Sequence, residues 1–315
     1  MRSGIFLPYH LAHTKGGVQM KNSKATNQSW ILRSITRTLP LWLLLFCLLL
    51  TGKTTAKAAT LDNKVYLRGN YATLYRDVDG DGDTEKVQLK AASLNDYFYK
   101  NFRIYIDGKL ALKKNIKGVS GLSFRYMSCS PKKNYLQIIA TMDGGFMYIN
   151  KLYAFSNGKL VEAADLGSAD NMMAEVIGIS SKGLSVRFSV QPYDTGRVEW
   201  TFEYRIKGRK LKRTSNTAPV KSALGDFYYG DRDTKNFKKN KFTTVRGRTY
   251  YKAAGQSQRA FRTKKGDVVK MQNVKIIGKK MYISFKKGKK TGWTEVKGYT
   301  PGGEWYRGVG KRLAG

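Results

Sequence analysis

The stretch Ile104-Tyr-Ile-Asp-Gly-Lys-Leu110 decides the fold: apolar residues on alternate positions run into Asp107-Gly108 and a return strand follows. Asp-Gly marks a hairpin because both central positions of a type I′ turn need positive φ. The pattern returns as Tyr153-Ala-Phe-Ser-Asn-Gly-Lys-Leu160 and as Tyr204-Arg-Ile-Lys-Gly-Arg-Lys-Leu211. The turns read at Asp107-Gly108, Asn157-Gly158 and Lys207-Gly208, 50 residues apart. Other alternating runs, at Val87–Leu89, Leu136–Ala140 and Leu184–Val190, lie between them, and no long amphipathic helical pattern follows residue 59. The chain is therefore expected to be all-β, a repeat of β-hairpin units. A period of 50 fits propeller blades, but three units are too few to close a ring, so an open array or a sandwich is equally allowed.

The 315 residues leave room for about two domains, and 41% hydrophobic residues supply their cores. Ahead of the hairpins, residues 39–50 (LPLWLLLFCLLL) form an apolar run preceded by Lys21, Lys24, Arg33 and Arg37. A membrane-spanning helix needs about 20 apolar residues, and this run is too short. With the small-residue site Ala56-Lys57-Ala58 it reads as a secretory signal over residues 1–58, started at Met1 or Met20 and cleaved near Ala58. A short uncleaved anchor is the alternative. After cleavage no transmembrane span is expected, and the protein would be secreted or associated with the cell wall.

The only histidines, His10 and His13, and one of the two cysteines, Cys47, would leave with that segment. Histidine-ligated zinc, Ser-His-Asp and Cys-His chemistry are then excluded together. Cys129 would remain alone, unable to form an intramolecular disulfide, and reads as a small core residue. Paired carboxylates could still hydrolyse a glycoside without histidine. Glu162, Glu175, Glu199 and Glu203 are available, but nothing in their local sequence selects a pair. The expectation is a non-enzymatic protein without a small-molecule substrate, with a glycoside hydrolase as the lesser alternative.

Charge divides the remainder. Residues 59–220 carry 25 basic and 16 acidic side chains, whereas residues 221–315 carry 25 and 6. The shift marks a boundary near 220, giving a β-repeat domain over 59–220, a linker over 221–241, and a basic module with a basic tail over 242–315. So strong a positive balance makes an anionic polymer the default partner.

Within the first half, Asp77-Val-Asp-Gly-Asp-Gly-Asp-Thr-Glu85 concentrates five acids in nine residues. Oxygens at alternating positions with a glycine at the sixth suit a hard cation. The EF-hand's position-12 glutamate is replaced by Gln88 and the flanks read as strands, so this is not an EF-hand. The loop resembles the calcium loops of FG-GAP/VCBS repeat proteins, with Glu85 at the ninth position where that family has aspartate. The resemblance implies one structural Ca2+ held by Asp77, Asp79, Asp81 and Glu85, with Asp83 contributing its carbonyl. The alternative is a solvated Asp/Gly turn.

Short strands separated by Gly and Lys turns fill residues 242–299. A Lys265-Gly266-Asp267 turn enters a long apolar strand, and Gly292-Trp293 closes the set. This resembles a bacterial SH3-like (SH3b) domain, although the family's opening motif is replaced by Tyr250-Tyr-Lys-Ala-Ala-Gly-Gln256. The resemblance implies a small barrel that attaches an exported protein to peptidoglycan or another wall component. Independently, Tyr250, Tyr251, Tyr282, Phe285 and Trp293 offer flat faces, and Lys286, Lys287, Lys289 and Lys290 offer charge to an anionic wall polymer. The alternatives are a secreted adhesin or inhibitor that binds a protein, and nucleic acid, which export disfavours.

Overall fold

The computed structural model describes residues 58–95, 97–142, 147–167, 172–190, 197–224, 240–296 and 305–306. The expected export signal lies outside them. Among the described residues every regular element is a strand, so the chain is all-β, and no helix there is long and apolar enough to cross a membrane.

A six-stranded sheet forms the middle of the architecture. It runs in the order β1-β7-β8-β9-β10, built from β1 (Thr60–Leu61), β7 (Gly121–Ser130), β8 (Lys133–Thr141), β9 (Met147–Ser156) and β10 (Lys159–Asp165), with β2 (Val65–Tyr66) also on β7. A four-stranded meander joins β3 (Tyr71–Arg76), β4 (Glu85–Ser93), β5 (Tyr99–Ile106) and β6 (Lys109–Val119). The third sheet contains β11 (Met172–Ser180), β12 (Gly183–Val190), β13 (Arg197–Lys207), β14 (Lys210–Arg213), β15 (Thr217–Leu224), β16 (Lys241–Thr243), β17 (Thr249–Tyr251), β18 (Arg259–Arg262), β19 (Val268–Ile277), β20 (Lys280–Lys287) and β21 (Lys290–Val296). Its order is β11-β12-β13-β15-β19-β20-β21-β17-β18, with β14 on β13 and β16 on β19.

The burial pattern explains the layering. Even-numbered β7 and β8 residues such as Phe124, Tyr126, Leu136 and Ile138 share a core with Leu89, Phe102 and Ile104 of the meander. Odd-numbered Met127, Cys129 and Tyr135 join Val186, Phe188 and Trp200 of the large sheet. The middle sheet is therefore apolar on both faces, and the interiors of β7 and β8 are buried without a break. This is a sandwich-like stacking of antiparallel sheets, one of the arrangements expected.

Three polar side chains in the second seam bond to one another, whereas Tyr135 Oη and Trp200 Nε1 are buried there without a hydrogen-bond partner among the described residues. The Arg125 Nε donates to Gln137 Oε1 at 2.6 Å, Gln137 Nε2 donates to Asn150 Oδ1 at 2.6 Å, and Asn150 Nδ2 donates to the Ala174 carbonyl at 2.8 Å. The chain of bonds ties the middle sheet to β11.

The Asp107-Gly108 and Asn157-Gly158 turns form as expected, with positive φ at all four residues. The third turn sits one residue later than expected, at Gly208-Arg209, because Lys207 pairs with Lys210 and Gly208 alone carries positive φ.

Two further expectations meet the same sheet. No closed barrel forms from residues 242–296. Their strands continue through β15 into the large sheet, because β15 bonds to β13 on one edge and to β19 on the other. The step in charge near residue 220 thus falls inside β15, and the start of the expected 221–241 linker is the end of that strand. Residues 225–239 lie outside the described set. Ala56–Gly315 cluster as one unit.

Candidate functional site

Two places concentrate charge: the acidic loop between β3 and β4, and the basic strands after residue 240. In the first, Arg76 pairs with Glu85, leaving residues 77–84 as the connection. Val78 anchors it by burying its side chain in the meander core. The backbone then wraps around carboxylates. Val78 N donates to Glu85 Oε2 at 2.7 Å, Gly80 N to Asp77 Oδ1 at 2.7 Å, Asp81 N to Asp79 Oδ1 at 3.2 Å and Asp83 N to Asp81 Oδ1 at 2.8 Å.

The loop is also docked onto the middle sheet. Tyr126 Oη and Asn134 Nδ2 both donate to the Asp77 carbonyl, at 2.9 and 2.8 Å. Gly80, at φ +86°, lies so close to the β7–β8 turn that a Cβ there would stand 2.5 Å from the Pro131 carbonyl oxygen.

This folding gathers carboxylate oxygens of Asp77, Asp79 and Glu85 within 4.8 Å of one another. Asp77 and Glu85 are buried, whereas Asp81 and Asp83 are exposed and outside the group. Burial pushes the Glu85 carboxyl above its ordinary range, and Asp79, Asp81 and Asp77 add to the rise against the opposing Val78 hydrogen bond. Among the described residues no basic side chain is paired with any of the three. A hard cation suits such a donor set, since calcium takes oxygen ligands from carboxylates, carbonyls and water.

The basic strands separate the expected ligand face into two groups. Tyr250 and Phe285 are fully buried and belong to the core. The Tyr250 ring stacks on Phe261 at 4.5 Å between centroids and meets Phe285 edge-on at 5.4 Å, while Phe285 packs against Trp305 and Tyr306. They sit on inward strand positions, so neither reaches a ligand. Tyr282 is also buried, under the segment containing Gly255. Tyr251 and Trp293 are partly exposed and face each other across β17 and β21.

Lys286, Lys289 and Lys290 are exposed. Lys287 is bonded to Asp267, holding that carboxyl below its usual range. Cross-strand register adds two lysines that local sequence did not single out. Lys241 stands opposite Lys270, and Lys270 opposite Lys286, all three exposed. Residues 29 and 16 positions apart meet only through strand pairing, so no local signal marked them.

The acids considered for hydrolysis have other partners. Glu162 pairs with Lys151 at 2.9 Å, Glu175 with Arg187, and Glu203 accepts from Ser185 Oγ at 2.7 Å. Burial pushes the Cys129 thiol up to about 11, which suits a core residue and not a nucleophile. No protein-family model matches this chain, and neither a curated protein nor a solved structure does.

Proposed function

We propose that this is an exported, non-enzymatic binding protein, held at a Gram-positive-type cell wall by attraction between its basic C-terminal strands and an anionic wall polymer. The observation that carries the reading is the exposed row Lys241, Lys270 and Lys286 beside Lys289 and Lys290, within a segment of 25 basic and 6 acidic residues. Like charges directly opposite on adjacent strands are destabilising. An anion laid over them turns that cost into affinity. In this reading the loop of Asp77, Asp79 and Glu85 holds one structural calcium ion that braces the β3–β4 connection, and takes no part in wall binding.

Sedimentation of the secreted chain with purified sacculi, before and after extraction of the anionic polymer, tests the reading. Binding that disappears on extraction supports it; equal binding to both preparations counts against it. A second reading, attachment to a protein partner, draws on the exposed rings of Tyr66, Tyr71, Tyr75 and Tyr97, since aromatic residues are enriched at protein interfaces. That attachment would have a shallow dependence on salt.

A further inference from the structure

The outer face of the β3–β6 meander is more strongly basic than the 25 basic and 16 acidic residues of 59–220 suggest. Its four strands contain nine basic residues and one acid, Glu85, which is turned into the acidic loop. Register places four exposed side chains in one row across the sheet: Tyr71 opposite Lys90, Lys90 opposite Arg103, and Arg103 opposite Lys113. Among the described residues none of the three cations has a carboxylate partner. Some opposed charges on the molecule are matched, as in Glu175 opposite Arg187 and Asp165 opposite Lys151, but this row, like Lys241–Lys270–Lys286, sets cation against cation. The tyrosine that begins the row is 63% exposed, and Tyr75 on the same strand is 55% exposed.

From this row we infer that the meander face is a second binding surface, and that its ligand is a linear acidic glycan in which successive sugars carry a carboxylate. Adjacent strands are about 4.8 Å apart, so the row offers one cation at each step of that length. The rise per ring of a chain of linked pyranoses is close to this spacing, so carboxylates along the chain stay within reach of the long Lys90, Arg103 and Lys113 side chains while the terminal sugar lies on the Tyr71 ring. The longer phosphodiester repeat of an extended single-stranded nucleic acid falls out of step with the strands. The Tyr105 ring is no base platform, because the Lys90 ammonium sits over it at 5.1 Å. Choosing a glycan rests also on the export reading above, whereas the surface itself does not.

The test is calorimetric titration of the secreted chain at low ionic strength with short oligogalacturonate, a neutral glycan of equal length, and oligo-dT. Oligogalacturonate should bind, and the neutral glycan should not. Each exposed ion pair contributes modestly, so Lys90→Gln/Arg103→Gln/Lys113→Gln together should weaken binding about tenfold. Lys159→Gln/Lys182→Gln/Lys210→Gln, with the same loss of charge elsewhere, should change it less than about threefold. Tyr71→Ala should cost about fivefold.

The row variant relieves like-charge opposition, so its melting temperature should be at or above that of the wild type, which separates lost binding from lost folding. Equal losses in the two triple variants, or tighter binding of oligo-dT than of oligogalacturonate, would overturn the inference. Wild type that binds oligogalacturonate but not sacculi would sink the wall reading and leave this surface standing.

Discussion

The side-chain amide of Asn134, at the start of β8, donates to the Asp77 carbonyl at 2.8 Å and so pins the first residue of the acidic loop to the middle sheet. Tyr126 donates to the same carbonyl from β7. A loop of like charges is thereby held in a fixed shape by neutral donors from another layer.

Removing one of those donors should loosen the loop without opening the core. Tyr126→Phe keeps the ring and loses one hydrogen bond, at a cost of about 1 kcal/mol. Gly80→Ala places a Cβ against Pro131 at a positive φ, which should cost about 1–3 kcal/mol. Urea melts of both variants measure this, and Gly80→Ala should be the more harmful.

Glu85 gives the loop a pH signature. Its carboxyl is raised on folding, so its favourable contribution is complete below the ordinary glutamate value of about 4.3 and is lost as pH rises through the higher folded value. In EDTA, Glu85→Gln keeps an acceptor for Val78 N and removes the charge. Its melting temperature at pH 7 should exceed that of the wild type, and the difference should vanish on acidification.

Calcium should reverse that order. A ligand at a hundredfold excess over its Kd stabilises the folded state by about 2.7 kcal/mol, so millimolar calcium should raise the wild-type melting temperature. Asp79→Ala or Glu85→Gln should abolish the rise. An unchanged wild-type melt would leave the solvated turn.

The buried polar seam makes a separate demand. Gln137→Leu removes the acceptor of Arg125 Nε, leaving that guanidinium, among the described residues, only its long 3.4 Å bond to the Val176 carbonyl, and removes the donor to the Asn150 amide oxygen. Weakening the support of a buried charge and stranding a buried acceptor should cost about 2–3 kcal/mol, read by chemical denaturation. Because Arg125 is buried between layers, the loss should not depend on salt.

Local signals in the chain conveyed the strands, the two Asx-Gly turns and the acidic connection, because alternation and positive-φ turns are written in neighbouring residues. Long-range pairing was not legible. Phe285 and Trp293 look alike as strand aromatics, yet Phe285 faces the core and Trp293 is partly exposed. Met127 and Tyr126 both lie buried, toward different layers, because β7 is covered on both faces. The polar step at 220 read as a gap, but β15 crosses it by pairing with strands that begin about 20 residues before and 50 residues after it. The same dependence on register hid the Lys241–Lys270–Lys286 row and the cations of the meander face.

Attachment to the wall through exposed lysines should show in the salt dependence of sacculus binding. Between about 0.01 M and about 1 M salt the Debye length falls from about 30 Å to about 3 Å, so attraction through exposed lysines must weaken steeply while a groove built on Tyr251 and Trp293 would persist. The measurement is binding of the secreted chain to purified sacculi over that range, beside a variant with Lys270→Glu, Lys286→Glu, Lys289→Glu and Lys290→Glu that melts cooperatively. Wild-type binding should fall steeply, and the variant should bind little even at low salt. Wild-type binding that is flat across the range, or a folded variant that binds as well as the wild type at low salt, would contradict it.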